Sequence, residues 1–394
     1  MSRSIDNVKS RIALVLCHCA GVIDVVALPV WVGIVLIGVY GLEPQRAGAL
    51  ATCFLGAAVI SSLIVSPRVT RLRGAFVVPA AFGVAAAAFF GLTTTRDYGA
   101  MMALHALGGL AVGCGLSIAH SAIGSSANPH RLIAIGFTVL SVLSLAFLGA
   151  VPKLVSLEGG EVLFVVLGSI MLVTALVAAL GFPTRQPRSA PLASASKAPA
   201  AARTPLSRGV WLAMIGTSLL SLNHSMMFSY TERVGVEHGF GQQAIMAVFL
   251  VIGIVNLFPG VAAALLERKV SAPFVMLAGP ALHGILGFVL TRSTHFIPYA
   301  IAACVFPAVM IFTHTFIFAF LARQDPSTRA VAATPIMLMT GSALGPIVGG
   351  VVAQHFGYAS IGWAVALIAC GAVWCLWQAQ GKTVPTAAVA EAAA

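Results

Sequence analysis

The sequence predicts an all-α membrane protein: twelve transmembrane helices arranged as two pseudo-symmetric six-helix bundles. Three observations carry that prediction. Hydrophobic residues make up 59% of the chain against 8% charged, and the mean hydropathy is +1.00, which no soluble globular class reaches. Apolar segments long enough to cross a hydrocarbon core of ~30 Å recur twelve times. The charges left over are sorted by side, as the loops of a polytopic protein are.

The apolar segments run near 12–37, 46–65, 75–93, 99–124, 131–151 and 161–182, and again near 209–231, 242–266, 272–291, 297–322, 330–354 and 358–379. They are numbered here as spans 1 to 12. Between the two sets, Pro183 to Arg208 is rich in Pro, Ala and Ser and holds Arg185, Arg188, Lys197 and Arg203 with no acid, the composition of a disordered basic linker. The expected organisation is an N-terminal bundle over 1–182, a cytoplasmic linker over 183–208, a C-terminal bundle over 209–380 and a disordered Ala-rich tail over 381–394. Span 1 is no cleaved signal: it is too long, contains Asp24, and lacks a small-residue cleavage site after a short apolar core.

If both termini lie in the cytoplasm, Arg46, Arg96, Lys153, Arg233 and Arg292 face outward and the other seventeen of the 22 basic residues face inward. Glu43, Asp97, Glu158, Glu161, Glu232 and Glu237 fall on the outer side. The bias fixes the orientation and an even number of spans, in a cytoplasmic (inner) membrane. The net charge of +11 is dispersed over short loops, which argues against a nucleic-acid partner. All seven cysteines sit in apolar segments, so no disulfide framework is implied.

One acid stands inside span 1. Asp24 lies thirteen residues past Arg11, near the bilayer midplane. An ionised carboxylate there costs ~2.5–3.5 kcal/mol on insertion scales, so it is expected to face protein or trapped water and to be functional. Its helical neighbours Cys17, Ala20, Gly21 and Ala27 form a narrow stripe where another helix can approach.

Six spans, a basic inner linker and six more spans resemble the major facilitator superfamily over essentially the whole chain. The loop after span 2 reads Ser66-Pro67-Arg68-Val69-Thr70-Arg71-Leu72-Arg73-Gly74: Arg71 and Arg73 keep the family's basic character, with Thr70 where the family has Asp. The matching loop after span 8 keeps an acid–base pair at Glu267 and Arg268. Span 4 has glycines at 109 and 113 behind His105, where the family often has Arg. A GxxxGPxxGG run is complete at Gly341, Gly345, Pro346, Gly349 and Gly350 in span 11, whereas antiporters of the family carry it in span 5. Read physically, glycines at four-residue spacing clear one helix face for close packing, and Pro346 removes a backbone bond and permits a bend.

Six histidines lie in apolar segments: His18, His105, His120, His224, His283 and His314. The resemblance implies that spans 1, 4, 7 and 10 line a central cavity, and all but His283 fall on them, with Ser117, Asn223, Thr313 and Thr315. His283 reads as a packing residue. His105, eight residues past Asp97, lies ~12 Å into the membrane from outside, a depth similar to that of Asp24. It is therefore expected to take Asp24's proton or clamp its carboxylate. The triplet Cys17-His18-Cys19 is no metal site, because successive helical residues point 100° apart. No HExxH, CxxC pair, Walker loop or GxSxG occurs, which leaves no foothold for a metalloenzyme, a cofactor or an ATP-driven pump.

The resulting expectation is a monomeric, proton-coupled secondary transporter that works by alternating access. Asp24 and His105 are its coupling groups, and His18, Ser117, His120, Asn223, His224, Thr313 and His314 line its substrate cavity. Arg71, Arg73, Glu267, Arg268 and the glycine run gate it. Its partners are protons, the lipid bilayer and a small organic solute, with a slight lean to an anionic or aromatic metabolite. A drug:proton antiporter is the alternative reading; an intramembrane enzyme such as an acyltransferase, or a sensor on the same fold, is more remote.

Overall fold

A computed structural model describes residues 4–184, 206–266, 269–324 and 334–380. The tail after Gln380, nearly all of the expected linker, and Glu267 and Arg268 lie outside the described residues. All regular structure among the described residues is helical. Span 1 comes in three pieces, Val8–Ala20, Ile23–Leu28 and a π-helical stretch Pro29–Val39. Spans 2 to 6 are Pro44–Val65, Gly74–Leu92, Tyr98–Gly124, Pro129–Glu158 and Glu161–Gly181. Span 7 is Arg208–Glu237, span 8 divides into Gln242–Val255 and Pro259–Leu266, and spans 9 to 12 are Ala272–Arg292, Phe296–Gln324, Thr334–Phe356 and Ile361–Gln380.

Local chemistry sets the helix ends. Asp97, Asn128 and Ser207 accept hydrogen bonds from the amides of Ala100, Arg131 and Val210 at 2.7, 3.1 and 3.3 Å, capping spans 4, 5 and 7. Pro259 restarts span 8 after the break at Asn256–Phe258, a proline being at ease in a helix's first turn and not in its interior.

Eleven of the described helices are long and apolar enough to cross a membrane; Arg208–Glu237 is not among them. Arg208–Glu237 is nonetheless the helix at the place of the seventh expected span. Span 7 is 30 residues long and carries Ser, Thr, Asn, His and Glu from Thr217 to Glu232, most of them buried. It packs against spans 1, 10, 11 and 12, so protein rather than lipid meets its polar side chains.

Backbone geometry displays the internal repeat. Gly41, Gly159, Gly239 and Gly357 have φ of 68°, 94°, 77° and 79°, the region glycine enters without penalty. They follow spans 1, 5, 7 and 11, and the pairs 41/239 and 159/357 are both 198 residues apart. The same offset relates the two seams between the halves. In the seam of spans 2 and 11 the Ile347 amide donates to Thr52 Oγ1 at 3.1 Å. In the seam of spans 5 and 8, Gly149 lies against Leu250, the residues 198 removed from Ile347 and Thr52.

The seams match in place and differ in chemistry. Spans 5 and 8 meet through apolar contacts, Gly149 on Leu250 and Gly253 on Leu145. Between spans 2 and 11 backbone meets backbone: a Cβ on Gly48 would overlap the Pro346 carbonyl, and one on Gly350 the Pro44 carbonyl. Tyr230 of span 7 ties the two strands of this seam, donating to Pro346 O at 2.7 Å and lying 3.1 Å from Pro44 O. Gly341, Gly345 and Gly349 point the other way, onto Ser218, Ser225 and Tyr230 of span 7. The glycine run thus clears two faces of span 11 for two neighbours.

In Gly345→Val the new side chain would run into Ser225 Oγ, with the Met226 amide 2.5 Å from its Cβ. Overpacking of this kind costs ~1–3 kcal/mol, so the detergent-solubilised variant should melt several degrees below the parent. Gly83→Ala, where nothing lies within 4 Å, should melt with it. Equal melting of the Gly345 variant and the parent would show that this contact gives way freely.

Candidate functional site

Asp24 sits on the first break of span 1. Gly21 packs so tightly on Leu116 of span 4 that a Cβ would come within 2.6 Å of its Cδ1. The first helix ends there, with the Gly21 and Val22 amides bonding back to Cys17 and Cys19. The chain restarts at Ile23 with Asp24 in the first turn, and Asp24 Oδ1 accepts the Val25 amide at 2.8 Å. The start of a helix leaves amides without intrahelical acceptors and favours negative charge, which accounts for an acid at this point. Pro29 then deprives the next turn of an amide, and the chain continues in a wider helix, visible in the Tyr40 amide bonding to Val35 O at 2.9 Å.

Asp24 is 3% exposed. The short helix that carries it packs on span 5 of its own half and span 7 of the other, so the acid is buried in protein on a helix that lies where the halves meet.

No hydrogen bond joins His105 to Asp24. The His105 ring stacks on Trp31, with centroids 5.2 Å apart and planes at 22°, and meets the edge of Phe164 at 6.2 Å. Its Nδ1 pairs with Met101 O at 2.6 Å, while Nε2 is buried without a partner. Similar depth did not imply proximity: Trp31 is seven residues past Asp24, ~10 Å along the axis, and it is Trp31 that His105 meets. Gly109 and Gly113 seat span 4 on the carbonyls of Phe54 and Ala58 in span 2.

Four of the other intramembrane histidines form one pair in each half. His18 Nδ1 and His120 Nε2 are 3.0 Å apart, and the Phe137 ring meets His18 edge-on at 4.9 Å. One imidazole must donate and the other accept, so this contact survives the uptake of one proton by the pair but not of two. In the second half His224 stacks between Phe228 and Phe306, at 5.4 and 5.7 Å, with His283 at 5.9 Å. His283 lies flat on Phe306 at 3.6 Å, and neither of its ring nitrogens has a partner. His283 thus packs on Phe306, as a packing residue would, and does so beside His224.

Three expected cavity residues are spoken for locally. Asn223 faces span 12, donating from Nδ2 to Val365 O at 3.1 Å with no exposure. Ser117 bonds back to Gly113 O at 2.8 Å, and His314 Nδ1 pairs with Met310 O at 3.0 Å. Thr313 is buried against Gly279 with Oγ1 unpartnered. It forms the floor of an apolar cavity of 530 Å³ between spans 8, 9 and 10, walled by Phe258, Phe274 and Phe312. Arg71 and Arg73 are exposed on the loop after span 2; Glu267 and Arg268 lie outside the described residues.

Sequence reasoning put Glu232 among the outer-loop acids because the apolar pattern of span 7 fades at Tyr230. The helix in fact continues to Glu237, and Glu232 is 2% exposed. Its Oε2 has no hydrogen-bond partner and would lie 3.1 Å from a Cβ placed on Gly33 of span 1. Trp31, packed on Phe54, Phe89 and His105 within the first half, and Tyr230, which ties span 7 to spans 2 and 11, were likewise not singled out.

The Major Facilitator Superfamily profile matches residues 14–334. The chain belongs to the major facilitator superfamily. Its fold is similar to that of a bacterial homolog of the human lysosomal transporter Spinster, solved in an inward-facing and occupied conformation. That match has a TM-score of 0.65 and 15% identity, covering 94% of this chain and 92% of the other. A search of curated protein sequences finds no match. This superfamily member is a multi-pass membrane protein and a secondary transporter of small solutes, not an intramembrane enzyme.

The stacking of His105 on Trp31 gives a direct test of its role. His105→Phe keeps an aromatic ring there and should retain the parent's melting temperature. His105→Ala opens a cavity and should destabilise by ~1–3 kcal/mol. Transport that survives in the Phe variant assigns His105 to packing; loss of proton-driven flux with unchanged melting assigns it to coupling.

Proposed function

We propose that this transporter is driven by the proton gradient, with Asp24 as the coupling carboxyl and a small organic solute as its cargo. The observation that carries this reading is the placement of Asp24: an acid at bilayer depth, on a break in span 1, buried where the two halves meet. A discontinuous span at the meeting of repeats is where secondary transporters build their ion and substrate sites. Asp24 takes up a proton from one side, crosses as a neutral group while the halves rock, and releases the proton on the other. One proton moving down 100 mV supplies ~2.3 kcal/mol, enough to hold a ~50-fold solute gradient.

Positive charge on the loops that share a side with the N-terminus supports an inner-membrane protein with both termini cytoplasmic. In that orientation the contacts of Gly33 with Glu232, Gly48 with Pro346 and Gly350 with Pro44 close the outer face. The buried histidines and aromatic rings of spans 1, 4 and 7 favour an anionic or aromatic metabolite, carried by a monomer.

The test compares Asp24→Asn with the parent in proteoliposomes, with and without a pH gradient. The variant should lose gradient-driven flux and keep solute exchange. Unchanged gradient-driven flux would remove Asp24 from the mechanism, and accumulation driven by a gradient of the opposite sense would replace uptake with efflux.

A further inference from the structure

Of the buried polar groups outside the Asp24 site, Glu232 is held in the most demanding setting. It lies on span 7 where that span crosses span 1 of the other half. The 198-residue offset of the paired turns carries Ile34 onto Glu232 and Gly33 onto Thr231. Gly33 and Glu232 touch each other, so this acid stands where corresponding stretches of the two halves cross.

None of the charged or titratable groups around Glu232 hydrogen-bonds its Oε2. Arg233, next in its own helix, makes a loose ion pair with Glu232, its NH1 3.9 Å from Oε2, beyond hydrogen-bond reach, and its Nε has no partner. Tyr299 of span 10 gives its hydroxyl to Thr231 O at 2.8 Å. Span 1 contributes Gly33, which has no side chain. The absence of a Cβ at 33 lets the helix pass, and any larger residue would press on the carboxyl. A buried oxygen that accepts no hydrogen bond is tolerated far better on a neutral carboxyl than on a carboxylate.

We propose that Glu232 is a second proton-binding site, separate from Asp24, whose bound proton latches the crossing of spans 1 and 7 shut. Release breaks the carboxyl O–H bond and passes the proton to water on the face that opens. The carboxylate left behind has no donor at Oε2 within the closed crossing, so the crossing parts and water solvates it. The proposal rests on the reading of the chain as proton-coupled and adds a site on the gate.

The experiment places spin labels at Thr94→Cys, between spans 3 and 4, and Thr294→Cys, between spans 9 and 10. Both positions are exposed, and the labels go into the full-length reconstituted protein with its native cysteines replaced. Interspin distances are measured at acidic and alkaline pH. The parent should move from a short to a longer distance as pH rises. Glu232→Gln and Glu232→Met, which cannot ionise, should stay short throughout. Asp24→Asn should keep the parent's shift, which separates this site from the coupling carboxyl; loss of the Asp24 role in flux leaves that expectation unchanged. A parental pH shift in Glu232→Gln, or no shift in the parent, overturns the proposal. If both Glu232 variants fail to fold, Gly33→Ala decides: its methyl should lengthen the distance even at acidic pH, and a parental distance there overturns the latch.

Discussion

Hydrocarbon offers no hydrogen bonds, and that single constraint sorts the side chains of this protein. Any polar group at bilayer depth must find its partners in the protein or in trapped water. Span 7 shows the consequence most plainly. It is too polar to count as a lipid-facing helix, and it is wrapped by four other spans, where Ser221 pairs with Ser342 and Leu338 O, and Tyr230 reaches carbonyls on spans 2 and 11. The same constraint places Asp24 at the start of a broken helix, where backbone amides are available.

The two halves repeat one plan, and their differences carry the individuality of the chain. The turns at Gly41 and Gly239, and at Gly159 and Gly357, match in register, as do the contact positions in the two seams. Yet one seam brings glycines onto carbonyl oxygens and the other brings glycines onto leucine side chains. Backbone packed directly on backbone allows few alternative arrangements, because no side chain can rotate to absorb a shift. The seam of spans 2 and 11 fixes the register of the two halves more tightly than the apolar seam of spans 5 and 8 does.

Much of this was legible in the sequence, and the failures have identifiable causes. Hydropathy and charge sorting gave most of the spans to within a few residues, because the bilayer enforces length and composition at every crossing, but ended spans 5 and 7 six or seven residues short. The glycine spacing in span 11 announced close packing, since nothing else explains five small or bent positions in that pattern. Contacts between spans were not legible. His105 was matched to Asp24 by depth, but depth leaves the azimuth of each helix free, and the ring turned to Trp31. Glu232 was assigned to a loop because hydropathy registers lipid exposure and reports nothing about burial in protein. The breaks at Gly21–Val22 and Asn256–Phe258 depend on tertiary contact as much as on Pro29 and Pro259, so periodicity alone passed over them.

The account stands on Asp24 changing its proton during transport, and infrared difference spectroscopy reads that change most directly. Spectra of the reconstituted protein at two pH values should contain a carboxyl C=O band that is lost as pH rises and is missing from Asp24→Asn, with the Glu232 band remaining. A parent and an Asp24→Asn variant with identical carboxyl bands would contradict the account, for the acid in the break of span 1 would then hold one protonation state throughout.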